Sequence, residues 1–171
     1  MANYIAPIII GLLICSSVFS EEQNISSPKF SPEAGISNIE HKHAALETIN
    51  ATGIVSLTSC TVKKDLIVNG SASLEISKVY GNTAINGSLN AKGSRFQNID
   101  MTGSKLTIEN SDASDIVVRK TEDDSAYTIV HIKGTTHIRG NITFEGKGEA
   151  IVDKTSSHEG HIIGASKITT Q

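Results

Sequence analysis

The sequence predicts an all-β protein, a single-stranded β-solenoid (β-helix) of about 17 residues per coil. Three observations carry that prediction. First, a shift of 17 residues superimposes Val55, Ala72, Leu89 and Leu106, then Leu57, Leu74, Ala91 and Ile108, and then Val62, Val79, Phe96 and Ala113. It also superimposes Ile67, Ala84, Met101 and Val118, with Gly53, Gly70, Gly87 and Ser104 as a small-residue column. Second, apolar residues within a repeat come in i, i+2 pairs such as Leu89 and Ala91, the period of a strand. Third, all three prolines (Pro7, Pro28 and Pro32) precede residue 33, so every later backbone N–H is available to a ladder. Hairpins do not recur at such a period with all columns unbroken. A coil of about three short faces does so, stacking each repeat on the last at roughly 4.8 Å. The sequence leaves the handedness undetermined, with a right-handed coil as the expectation. On the third face Leu66 and Val68 compete with Ile67 for the interior.

Residues 1–20 read as a signal peptide. The run "IAPIIIGLLICSSVF" is short for a membrane span, and Val18 and Ser20 occupy the −3 and −1 positions of a cleavage site before Glu21. The expected location is therefore exported: periplasmic, cell-surface or secreted. A lipidated Cys15 is the rival reading, disfavoured because Ile14 stands where such motifs want a small residue. Membrane contact is expected only through an uncleaved leader or that lipid. Residues 21–45 read as a polar, loosely ordered arm. The solenoid is expected over 46–171, because "LETINATG" from Leu46 matches "FQNIDMTG" from Phe96. "KTEDDSAY" makes an irregular break near 120–127, after which "IKGTTHI", "IRGNITF" and "IIGASKI" resume the frame. Six or seven coils would extend about 30 Å.

Composition narrows function. The formal net charge is −3 with both signs interspersed, which suits neither nucleic acid nor an anionic membrane as partner. Aromatics make up 4% and Trp is absent, leaving little for stacking sugars or bases. Loss of the leader leaves Cys60 as the single cysteine, so a disulfide framework is excluded within the mature chain.

The "NGS" triplets at Asn69 and Asn86 fall in register and read as one corner of successive coils. There Gly supplies an unusual dihedral and Asn can bond a stacked Asn. They also match glycosylation sequons, as do Asn24, Asn50 and Asn141, but sequons arise freely in a chain of this composition. A phosphate loop would need a following helix. Cys60 shares a column with Ser77, Ser94 and Ser111 and reads as a packed thiol rather than a nucleophile. His41 and His43 would share one face of an extended segment. His158 and His161 lack the helical spacing of a zinc motif, and His131 and His137 read as solvent-facing. No metal, cofactor or catalytic residue is assigned. The acids Glu122, Asp123 and Asp124 read as a solvated loop rather than a calcium site. Glu75, Lys92 and Glu109 form one outward column and Lys78, Arg95 and Asp112 another, placing opposite charges on adjacent rungs. The remaining acids look dispersed rather than paired for glycoside chemistry. Gly81, Gly87 and Gly93, and again Gly134, Gly140 and Gly146, are spaced by six without continuing, which disfavours a hexapeptide-repeat acyltransferase.

"LIVNGSASL", "AINGSLNA" and "IRGNITF" resemble the coils of bactofilin-type polymer-forming proteins and of small exported bacterial β-solenoid proteins. The resemblance covers about Leu46 to Ile168 and rests on the repeat frame. It implies self-association and supplies no catalytic residues, while the leader departs from bactofilins, which are cytoplasmic-side proteins. The expectation is a non-enzymatic exported β-solenoid, acting as a structural or self-associating surface or periplasmic element. The alternative is a glycan- or partner-binding module or adhesin using an outer face such as that of Glu75, Lys92 and Arg95. A carbohydrate-active enzyme is the least favoured reading.

Overall fold

A computed structural model describes residues 37–123 and 125–171. The leader, and the arm up to residue 36, lie outside the described residues. The rest winds into a parallel β-solenoid with three faces and no helix among the described residues. The first face stacks eight rungs. They run from Ser37–Lys42 through the later halves of Ile49–Thr58, Leu66–Glu75, Lys78–Lys92 and Arg95–Glu109 to Thr128–Lys133, Gly148–Val152 and Lys167–Thr170. The second face carries short rungs such as Thr61–Val62, Asp112–Ala113, His137–Ile138 and Ser157–His158. The third carries the opening halves of the long strands, then Asp115–Val118, Ile142–Phe144 and Ile162–Ile163.

The coil begins earlier than expected. Ser37–Lys42 pairs with Gly53–Thr58, and Ala45–Leu46 pairs with Thr61–Val62, so part of the expected arm belongs to the first coil. The segment "SNIEHK" hid this because Ile39 is its one aliphatic residue.

Alternation fills the interior as the hydrophobic columns require. Val55, Ala72, Leu89 and Leu106 are buried and continue into Val130 and Ala150. Leu57, Leu74, Ala91 and Ile108 continue into Ile132 and Val152. The third face differs from its expected column. Leu66 and Val68 point in, while Ile67 is 41% exposed. Ile67 is in register with Ala84 and then Asp100, whereas Val68 stacks on Ile85, Met101 and Val118. The cause is a compensated slip. One residue is lost between Phe96 and Asn98 relative to Val79–Asn82 of the coil before, and one is regained as a bulge at Ser104. Gly103, not Ser104, therefore continues the glycine column.

That column forms the corner between the third and first faces. Gly70 and Gly87 have φ of 144° and 143°, and a Cβ on either would overlap the carbonyl oxygen of the glycine one coil earlier. The flanking asparagines stack, with Asn86 Nδ2 donating to Asn69 Oδ1 at 3.2 Å.

At the next corner His43, Ser59, Ile76, Gly93, Asn110 and Gly134 all adopt left-handed backbone, with φ between 48° and 60°. Behind it runs a buried hydroxyl ladder. The N–H groups of Cys60, Ser77, Ser94 and Ser111 donate to the side-chain oxygens of Ser77, Ser94, Ser111 and Thr136, at 2.9–3.3 Å. Each coil thereby satisfies at its bend an amide that the strand ladders do not reach.

The expected break is an insertion spanning 119–127, between the strands Asp115–Val118 and Thr128–Lys133. It lengthens that coil, so that Lys133, 24 residues after Glu109, is its partner in register.

Candidate functional site: a polar trough on the first face

Outward side chains on the first face form three columns. Ser71, Ser88, Lys105, Ile129 and Glu149 run beside the glycine corner. Ser73, Asn90, Thr107, His131 and Ile151 run along the middle. Glu75, Lys92, Glu109 and Lys133 run beside the left-handed corner. Two shallow depressions, of about 410 and 390 Å³, lie on this face and share Glu109, His131 and Lys133. One reaches Ser88, Asn90 and Lys105, and the other reaches Asp153 and Gln171.

Asp153 Oδ2 accepts the Gly134 N–H at 3.0 Å, and Oδ1 lies 3.5 Å from His131 Nε2. The Gly134 amide is the main reason its carboxyl lies below the usual carboxylate range. Partial desolvation opposes the shift, while His131 and Lys133 add to it. His131 Nε2 is buried with no hydrogen-bond partner among the described residues, since 3.5 Å is too long for a normal bond to Asp153. Lys92 Nζ stands 3.7 Å from Glu109 Oε1, with the lysine side chain 59% exposed. Glu109 and Asp153 line one depression, with Lys133 beside them.

Other expected features are placed differently. The left-handed bend at His43 removes it from the face of His41, whose backbone oxygen accepts the Cys60 thiol at 3.3 Å. Cys60 itself is buried in the hydroxyl ladder. The column Lys78, Arg95 and Asp112 forms, and Arg95 Nε bonds Asp112 Oδ2 at 3.1 Å. Arg95 sits on the second face, around the corner from Glu75 and Lys92, so those three do not make one surface. Asp123 is taken up by a local turn, accepting the Ser125 N–H and hydroxyl, which holds its carboxyl below the ordinary range.

Two clusters were not foreseen. Arg119 bonds Asp100 through Nε and Nη2 and Glu145 through Nη1, clasping three successive coils. These contacts raise the guanidinium pKa further above its already high value. His137 meets Ser157 Oγ through Nδ1 at 2.7 Å and Glu159 Oε1 through Nε2 at 3.1 Å, with side chains 36% and 65% exposed for the His–Glu pair. These bonds join two successive coils, since His137 is in register with Ser157. Among the described residues no three His, Cys, Asp or Glu side chains converge as a metal site. Comparisons with family models, curated proteins and solved structures found no match.

Proposed function

We propose that this protein is a non-enzymatic, exported solenoid that works as a structural, self-associating element at the cell surface or in the periplasm. The leader supports export. The observation that carries self-association is the last coil. Lys167–Thr170 pairs with Gly148–Val152 on one side, and among the described residues no strand pairs with its other side. Ile168 continues the inward column below Ala150 yet is 53% exposed. An unpaired parallel edge over an open apolar core is a template for another chain. Sedimentation of the chain from Glu21 onward is the test. Assembly should grow with concentration and be lost in Ile168→Asp, whereas a strict monomer at high concentration overturns the reading.

A further inference from the structure

We infer that His131 and Asp153 form a proton-operated latch, in which a charged imidazole clamps the turn over 153–156 onto the Gly134 corner. This goes beyond self-association and does not rest on it. The latch is built around one carboxylate. Asp153 Oδ2 accepts the Gly134 N–H at 3.0 Å, and the Asp153 N–H donates to Ile132 O at 2.9 Å. The turn that Asp153 opens closes back on the same corner. Ser156 N–H donates to Asp153 O at 2.9 Å, and the hydroxyls of Thr155 and Ser156 donate to Gly134 O at 2.7 and 2.8 Å. Lys154 N–H donates to Gln171 O at 2.7 Å, which ties the turn to the last coil as well.

The other carboxylate oxygen faces a nitrogen with nothing else to bond. His131 Nε2 is buried, lies 3.5 Å from Asp153 Oδ1 and has no hydrogen-bond partner among the described residues. A neutral ring gains little there. With its proton on Nδ1 it turns a lone pair toward the carboxylate, and with its proton on Nε2 the separation is too long for a normal bond. A second proton makes the ring a cation and Nε2 a donor, and the pair can close as a charge-assisted bond. The side chains are only 20% and 30% exposed, so water screens this pair less than one on open surface. The surrounding charges leave the role to Asp153. Glu109 stands 3.7 Å from Lys92 and Glu149 stands 3.9 Å from Lys167, so each of those acids has its own cation. Lys105 and Lys133 line the same depression as His131 and disfavour a charge on it. Asp153 is held below the usual carboxylate range by the Gly134 amide first, and then by His131 and Lys133. The clamp is therefore complete where His131 is charged and Asp153 ionised. It is lost as pH rises through the ordinary histidine range, and again as pH falls through the lowered carboxyl range.

Amide exchange at Gly134 in dilute protein reads the latch. Its protection, corrected for the intrinsic exchange rate, should be about two- to fivefold higher near pH 5.5 than near pH 8. His131→Gln removes the titrating ring, and Asp153→Asn keeps an acceptor for Gly134 without the charge, so each should level the two values. His137→Gln removes only the separate pair with Glu159 and should leave the difference intact. Equal protection at both pH values in the wild type overturns the inference, and that comparison stands even where a variant fails to fold. A difference that persists in His131→Gln or Asp153→Asn, or one that vanishes in His137→Gln, overturns it too. Sedimentation at both pH values reads self-association separately, so neither failure can be mistaken for the other.

Discussion

Ser94 shows how much one buried hydroxyl carries in this chain. Its Oγ accepts the Ser77 N–H at 3.1 Å, donates to Lys92 O at 3.0 Å and leaves the side chain 1% exposed. Removing the hydroxyl strands a buried amide, whose full desolvation cost then counts against the fold. Ser94→Ala is expected to lower stability by about 1–3 kcal/mol, measured by urea unfolding. Cys60→Ser should be nearly neutral, because a hydroxyl there can donate to His41 O as the thiol does. Equal unfolding midpoints for Ser94→Ala and wild type would show that the ladder is not needed at this bend.

At the scale of the corner, the left-handed column tells which residue is out of place. His, Ser, Asn and Gly occupy it at His43, Ser59, Asn110, Gly93 and Gly134, but Ile76 is β-branched, has φ of 51° and is 63% exposed. A branched side chain in this region carries roughly 1–2 kcal/mol of strain, and its exposure returns little burial. Ile76→Gly is therefore expected to stabilise the protein by up to about 1 kcal/mol, after the entropic cost of glycine is subtracted. Thermal unfolding checks the sign, and a lower melting temperature would mean that the Ile76 side chain packs more tightly than its exposure indicates.

The same scale explains what could be read from the sequence. The aliphatic columns on the first two faces kept a fixed period from Val55 to Ala113, so alternation alone placed them. The third face could not be registered, because the residue lost between Phe96 and Asn98 and regained at Ser104 cancels outside that interval. Ser37–Lys42 offered one inward aliphatic and no rhythm. The trough was hidden for a different reason: the 119–127 insertion moves Lys133 and His131 out of the period, and Asp153 follows at a third spacing. Glu75, Lys92 and Glu109 were visible as a column. Its continuation into a mixed-charge site needed the coil to be closed in space.

For the whole solenoid, stability is a sum of coils and nearest-neighbour interfaces, since each rung touches only those before and after it. Rungs in Leu66–Glu75, Lys78–Lys92 and Arg95–Glu109 are paired on both sides, while Lys167–Thr170 is paired on one. Hydrogen exchange should therefore be slowest in those central strands and fastest in Lys167–Thr170 when the protein is dilute. Self-association through the last coil adds a second expectation. Protection in Lys167–Thr170 should rise with protein concentration, because a second chain would cover amides that one chain leaves open, while the central strands stay unchanged. Full protection of Lys167–Thr170 at high dilution would show that the last coil is already closed within one chain. Concentration-independent exchange in a protein that still assembles would move the contact to another surface.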